Sequence, residues 1–261
     1  MTSISKDSSV VVMPTAHRPE VLAWSLQRLA RAKNVPSVKI YLDRVGLHRL
    51  DEVEYVRDRY YPLADIHYAA EHPACTSGTW NILNSMKAGY DTGAEHVFIV
   101  EEDVMMTPNF MERHQQVFDS GDYLATCGRR IPAFFERYGD LYTNPGSCLT
   151  RELLSHVIPH INDRYFQDTG GYIRKTFGHE PFNSSLDDGL IRMVVRELGG
   201  KCGYPDTPIC AHQGFTWYDE IDIYSNHEGT LQERIDKFGV IAATTKPTDR
   251  YAGDFEPFNP F

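Results

Sequence analysis

No two cysteines in this 261-residue chain are spaced as CxxC, and the five present (Cys75, Cys127, Cys148, Cys202 and Cys210) are an odd number. Neither a disulfide framework nor a structural zinc site is therefore indicated. Positive charge is also scarce: 26 Lys and Arg stand against 36 Asp and Glu, a formal net charge of −10. Binding to a nucleic-acid backbone is dominated by Lys and Arg neutralising phosphates, so a broad electrostatic footprint on nucleic acid is excluded, though not a local basic groove. No apolar run is long enough to cross a bilayer, and the opening MTSISKDSS is short and polar. With neither a membrane span nor a signal peptide in view, the expectation is a soluble, cytoplasmic protein. Internal repeats and low-complexity tracts are absent as well. What is there is the ordinary balance of a globular chain, 41% hydrophobic and 24% charged. Its length accommodates one large domain or two small ones, and one α/β domain is expected.

Val10-Val11-Val12-Met13 is a continuous apolar run ended by Pro14, the pattern of a buried parallel strand. Pro19 then opens a helix whose Val21, Leu22, Leu26 and Leu29 keep helical spacing. Strands are expected at 38–42 and 65–69, helices at 51–60 and 79–88, and the strongest strand at His96 to Val100. Pro108 opens a further helix running to Phe118. This strand–helix alternation predicts a mostly parallel, twisted sheet flanked by helices, with ligands beyond the carboxyl ends of the strands. Polar clusters fall at three such ends: Pro14 to Arg18, Asp43-Arg44, and Glu101-Glu102-Asp103. In the second half, strands are expected at 122–127, 141–144 and 208–212, and helices at 150–157 and 187–198. The aromatic stretch 160–185, with Gly170-Gly171 as a hinge, reads as a loop or lid, and the tail YAGDFEPFNPF lacks periodicity.

The acidic triplet is where chemistry enters. Three adjacent carboxylates after a buried strand repel one another and are costly to place without a cation, and oxygen-rich sites suit Mg²⁺ or Mn²⁺. The alternative is a solvated acidic loop. Its context resembles a known family: VFIVEEDVMMTPNF, residues 97–110, is similar to the metal-binding segment of GT-A glycosyltransferases, a hydrophobic strand leading to an Asp-x-Asp-type triplet. It is closest to the Glu-Asp-Asp version of the inverting N-acetylglucosaminyltransferase I-like enzymes. The resemblance implies Asp103 as the direct metal ligand, with Glu101 and Glu102 beside the metal or the nucleotide ribose.

The opening VVVMPTAHRPEVLAWSLQRL resembles the first strand-loop-helix of family 2-like glycosyltransferases. That implies a donor contact for Pro14, Thr15 and Arg18, the guanidinium lying against the diphosphate. Asp43 occupies the position where such enzymes often accept the uracil N3–H; equally, it is a carboxylate capping a turn. CTSGTWNIL resembles the helix start that carries a glycine and an asparagine near the donor sugar and ribose, here Gly78 and Asn81. Trp80 reads as core, and His72 as loop or base contact. Asn144-Pro145-Gly146-Ser147 resembles the loop that shapes the donor and acceptor pocket. Leu186-Asp187-Asp188 resembles the motif whose second acid is the base in inverting members, while helix-start acids are also ordinary caps. His212 in ICAHQGF resembles the C-terminal histidine that meets metal or diphosphate.

The resemblance spans about residues 10–220 and implies one GT-A type, Rossmann-like domain across 1–261. Residues 1–120 would bind nucleotide-sugar and metal, 121–228 the acceptor, and 229–261 would form a C-terminal helix and tail. The implied reaction moves a sugar from a nucleotide-sugar, a UDP-sugar by the Asp43 reading, to an acceptor hydroxyl with inversion. A glycan, a small molecule or a hydroxymethylated base in DNA are the candidate acceptors, DNA the least favoured by the net charge. Arg164, Arg174 and Lys175 in the aromatic stretch allow an anionic one. Two other readings stay open. A nucleotidyltransferase also pairs acids with a nucleotide, but it normally opens with a glycine-rich basic loop that Pro14 to Pro19 lacks. The other is a nucleotide-sugar-binding module without turnover.

Overall fold

The computed structural model describes residues 3–69, 77–130, 136, 139–144, 146–181, 186–212 and 229–244. His72, Pro145, Phe182 and the tail 251–261 lie outside the described residues.

The apolar run after Ser8 becomes strand β1, Ser9–Thr15, because both of its faces are covered. Val10 and Val12 join one core and Val11 and Met13 the other, on opposite sides of the sheet. β2 (Ser37–Leu42), β3 (Asp65–Tyr68) and β4 (His96–Ile99) lie parallel around β1 in the order β3-β2-β1-β4. The sheet continues through β7 (Ser147–Thr150), β6 (Ala125–Cys127) and β8 (Cys202–Gly203). β7 runs antiparallel to both β4 and β6, while β6 and β8 are parallel. The carboxyl ends of β1, β2, β4, β6 and β8 therefore share one edge. Pro14 does not end β1; the strand runs on to Thr15. The Val12 carbonyl faces β4, where it accepts from Val100 N at 3.0 Å, and residue 14 faces the same way. Pairing with β4 stops at Val12, so the N–H that Pro14 lacks leaves no ladder bond unmade.

Helices α1 (Pro19–Arg31), α2 (Leu50–Tyr60) and α4 (Phe110–Asp119) cover one face. Helices α3 (Ser77–Asp91), α5 (Arg151–Val157) and α8 (Leu186–Glu197) cover the other. A second sheet holds only β5 (Val104–Met106) and β9 (Cys210–His212), antiparallel. No helix among the described residues is long and apolar enough to cross a membrane.

Two further sequence expectations fail here. Residues 141–144 are not a strand: side chains satisfy their backbone instead of a neighbouring strand. Tyr204 Oη donates to Leu141 O at 2.5 Å, Arg192 Nε donates to Tyr142 O at 2.6 Å, and Thr143 N donates to Cys127 Sγ at 3.4 Å. The stretch from 160 is not a loop either. It forms α6 (Asp163–Gln167) and α7 (Thr169–Phe177), the second running through Gly170-Gly171. Asn162 and Asp168 cap the two helices through Tyr165 N and Gly171 N, offsetting the poor helix propensity of glycine. The aromatics expected to form a lid build core: Tyr165 and Phe166 are buried, and Phe166 meets Trp80 edge-on at 5.3 Å.

His114, on α4, is wholly enclosed between Phe98, Phe110 and Thr126, with its Nδ1 2.5 Å from Thr126 Oγ1. Burial pushes its pKa down to about 3. The unfolded histidine titrates near 6.5, so between those values the unfolded state binds the extra proton and stability falls as pH falls. The stability advantage of wild type over His114→Gln, from urea unfolding, should shrink by about 2 kcal/mol between pH 7 and pH 5. A pH-independent gap would contradict the neutral, buried imidazole.

Candidate active site

Immediately after β4 the chain makes a tight turn, Val104 N donating to Glu101 O at 3.0 Å. The turn sends the three acids of the triplet to different partners. Glu102 is 1% exposed and reaches back under β1, accepting from Ala16 N and, at 2.5 Å, from Arg18 Nε. Arg18 Nη2 also donates to Asp103 Oδ2 at 3.0 Å. Arg18 precedes Pro19, the first residue of α1, where a lone cation opposes the helix dipole. Glu102 and Asp103 supply the counter-charge that makes the position tolerable.

Asp103 gives one oxygen to Arg18 and keeps the other for His212, whose Nε2 lies 3.1 Å from Oδ1. The β5–β9 ribbon makes this contact: its register sets Val104 opposite His212, so the residue before Val104 falls beside the imidazole. Gly146 lets the ribbon pack against the start of β7. It sits at φ +62°, and a Cβ there would come within 2.7 Å of Cys210 Sγ. Burial alone would raise the pKa of Asp103, but His212 and Arg18 beside it hold it well below the usual carboxylate range.

Glu101 accepts from Asn144 Nδ2 at 2.5 Å. Its carboxyl is pushed well above the ordinary range, first by burial and then by Asp103, Asp187 and Asp188. Burial likewise raises Glu102, against the pull of Arg18. Crowded carboxylates of this kind are what a divalent cation relieves. One ligand atom each of Glu101, Asp103 and His212 lie within 4.8 Å of one another. Two carboxylate oxygens and an imidazole nitrogen form a donor set that fits Mn²⁺ or Mg²⁺.

Asp43 and Thr15 close the same edge on the β1–β2 side, with Asp43 N donating to Thr15 O at 2.7 Å. Asp43 Oδ1 caps the 3₁₀ turn Arg44–Arg49 through Val45 N, whereas Oδ2 is buried with no hydrogen-bond partner. Gly46 in that turn presses on the β1 loop; a Cβ there would stand 1.9 Å from Ala16 O. Pro14 and Thr15 are buried in the strand, Thr15 Oγ1 returning to Met13 O at 3.1 Å. Asn81 is 3% exposed and ties the strand ends together, its Nδ2 donating to Thr15 O at 3.2 Å and Tyr41 O at 2.8 Å. Gly78 is exposed in the first turn of α3, and a Cβ there would meet nothing within 4 Å.

Across from Glu101, the first turn of α8 carries Asp187 and Asp188, both nearly buried. Asp188 Oδ2 accepts from Arg192 Nη2 at 2.8 Å, one helical turn on. Burial and Asp187 push the Asp188 carboxyl well above the carboxylate range, with Arg192 opposing them. Arg192 is 0% exposed and bridges Asp188 to Tyr142 O. The structure thus gathers Arg18, Glu101, Glu102, Asp103 and His212, places Asp187 and Asp188 within electrostatic reach, and leaves Gly78 exposed in the first turn of α3. Sequence reading did not single out Arg192, although its spacing of four from Asp188 on a helix was the available signal.

No protein-family model matches the chain, and no curated protein does. Solved structures match it in fold. A mannosyltransferase from Pyrobaculum calidifontis, in complex with GDP-Man and Mn²⁺, superposes with a TM-score of 0.52 at 13% identity, over 78% of this chain and 56% of that one. Glucosyl-3-phosphoglycerate synthase from Mycobacterium tuberculosis, in complex with Mn²⁺, UDP and glucosyl-3-phosphoglycerate, gives 0.52 at 14% identity, over 78% of this chain and 71% of that one. TarS from S. aureus, in complex with UDP-GlcNAc, gives 0.51 at 13% identity and covers 91% and 67%. The chain has the α/β architecture of these proteins, the GT-A fold that its motifs implied. It spans little more than half the length of the mannosyltransferase.

Proposed function

We propose that the chain is a metal-dependent glycosyltransferase that moves a sugar from a UDP-sugar to an acceptor hydroxyl, with inversion at the anomeric carbon. The observation that carries the reading is the convergence of Glu101, Asp103 and His212 on one edge of a GT-A fold, with Arg18 on one flank and Asp188 on the other. Glu101, Asp103 and His212 would hold Mn²⁺ or Mg²⁺, which when bound supplies Lewis-acid neutralisation of a departing diphosphate. Arg18, already fixed by Glu102, would add a guanidinium to the same phosphates. The unpartnered Asp43 Oδ2 would accept a uracil N3–H, which is the reason for preferring UDP.

Asp188 is the base in this reading, taking the proton from the acceptor hydroxyl as that oxygen attacks from the face opposite the diphosphate. Its raised pKa makes it a stronger proton acceptor once ionised. Residues 1–120 serve the donor and 121–228 the acceptor, a glycan or small molecule ahead of a modified base in DNA. Arg174 is already engaged by Glu180 at 2.9 Å, which weakens the case for an anionic acceptor held there.

A thermal-shift panel of nucleotide sugars with and without Mn²⁺ tests the reading. A bound donor at a hundredfold excess over its Kd stabilises by about 2.7 kcal/mol, several degrees in Tm. A UDP-sugar is expected to give that shift only with the metal, and turnover to release UDP. Pyrophosphate release would point instead to nucleotidyl transfer, and a flat panel would remove the proposal.

A further inference from the structure

Beneath the loop that carries Arg18 lies a cluster of buried charge that the proposed chemistry does not use. Glu20 on α1, Arg49 at the end of the 3₁₀ turn, Glu52 on α2 and Arg234 on the C-terminal helix α9 (Leu231–Thr244) meet as alternating charges. Glu20 is 1% exposed and accepts from both arginines: from Arg49 Nη2, from Arg49 Nη1 at 3.2 Å and from Arg234 Nε at 2.7 Å. Glu52 does likewise, taking Arg49 Nε at 2.6 Å and Arg234 Nη2. The two carboxylates balance the two guanidiniums, so each arginine is held in place by the other's partners.

Arg49 spends one more bond outside the cluster, its Nη1 donating to His17 O at 2.8 Å. His17 lies between Ala16, whose N–H holds Glu102, and Arg18, whose side chain holds Glu102 and Asp103. The far end is fixed just as firmly. Thr230 and Glu233 form a reciprocal capping box, Thr230 N donating to Glu233 Oε2 at 2.6 Å and Glu233 N to Thr230 Oγ1 at 3.3 Å. The box sets where α9 begins and so where Arg234 points. Trp24 Nε1 donates to Ile235 O at 2.9 Å, seating the helix on α1.

We infer that Arg49 is a positioning residue for the Ala16–Arg18 loop and that α9, through Arg234, keeps it in register. The C-terminal helix thereby supports the metal and diphosphate site without touching it, which rests on the glycosyltransferase reading for its consequence but not for its geometry. Removing Arg234 leaves Glu20 and Glu52 with a single guanidinium to share. Arg49 is then drawn from the His17 carbonyl toward the two carboxylates.

The test is hydrogen exchange of the peptide covering 15–22 in wild type, Arg234→Ala, Arg234→Lys and Glu52→Gln. A Leu154→Ala variant on the opposite face of the sheet, measured at the temperature where its unfolding free energy equals that of Arg234→Ala, serves as control. Exchange in that peptide should rise on the order of tenfold in Arg234→Ala, less in Glu52→Gln and in Arg234→Lys, and not at all in the control. UDP affinity in the presence of Mn²⁺, by calorimetry, should weaken in the same order. Unchanged exchange in Arg234→Ala would reduce the cluster to a helix clamp and overturn the inference. Raised exchange in a protein whose wild type binds no UDP would uphold the positioning role while removing the glycosyltransferase reading.

Discussion

Asp103→Asn is expected to abolish the Mn²⁺-dependent thermal shift and to lower kcat/KM by about three orders of magnitude, while the metal-free protein stays folded. The asparagine keeps the shape of Asp103 and can still accept from Arg18 Nη2, so the turn after β4 has no reason to move. Two opposing electrostatic effects cancel in part. Arg18 loses one of its two carboxylate partners, but it retains Glu102 at 2.5 Å. Meanwhile Glu101 is freed of Asp103, the charge that presses on it most strongly after burial. The metal has no such compensation. Losing even an outer partner of a ligand costs about 10–100-fold in metal affinity, and losing an anionic ligand costs more. The stabilisation of about 2.7 kcal/mol expected at a hundredfold excess of metal over Kd then vanishes at the same concentration. On the rate, a missing charge at a developing diphosphate is worth about 2.7–4 kcal/mol, to which weaker donor binding adds. Calorimetry with Mn²⁺ alone separates this from a folding defect. An Asp103→Asn protein that binds Mn²⁺ as wild type does would show that the ion sits elsewhere.

How much of this site could be read from the chain depends on which contacts are local. The three strand-end clusters were legible because β1, β2 and β4 are covered on both faces, so they stand out as unbroken apolar runs with polar residues just beyond them. Parallel neighbours then bring those ends together without further information. The position of His212 is of another kind. Its approach to Asp103 depends on a pairing of two three-residue strands over a hundred positions apart, too short for any periodicity to reveal β5. The helices α6 and α7 were hidden for a different reason: paired glycines and scattered aromatics mark a loop by propensity, but capping and burial of Tyr165 and Ile173 outweigh it. Nothing in the sequence signals that Asn81 Nδ2 ties strand-end carbonyls together, contacts made across 66 and 40 positions, while its Oδ1 is left buried without a hydrogen-bond partner. The cluster of Glu20, Arg49, Glu52 and Arg234 left one local trace, the spacing of three between Arg49 and Glu52; Glu20 and Arg234 join only when four elements close on them.

Asp188→Asn is the second large effect, expected as a loss of about 10²–10⁴ in kcat with UDP and Mn²⁺ affinity changed little. The carboxylate is not itself one of the clustered metal ligands: Glu101 feels its field, and Asn144, whose backbone N–H bonds Asp188 and whose side-chain amide holds Glu101, links the two. Asparagine can keep the bond to Arg192 and the shape of the first turn of α8, but it cannot take a proton. The pH profile identifies the role more sharply than the loss itself. Burial and Asp187 hold the Asp188 pKa well above the carboxylate range, and only the charged form is a base. Wild-type kcat should therefore fall as pH drops through that raised value, an acid limb lying above the pH at which an ordinary aspartate titrates. A cation arriving beside Glu101 favours the ionised form, so raising Mn²⁺ from limiting to saturating should move the limb toward lower pH. In Asp188→Asn the residual rate should lose this limb. Single-turnover rates between pH 5 and pH 8 in both proteins decide the matter. If the variant keeps both its rate and the acid limb, the proton goes to another group, and Asp187, one residue earlier and equally enclosed, becomes the one to replace next.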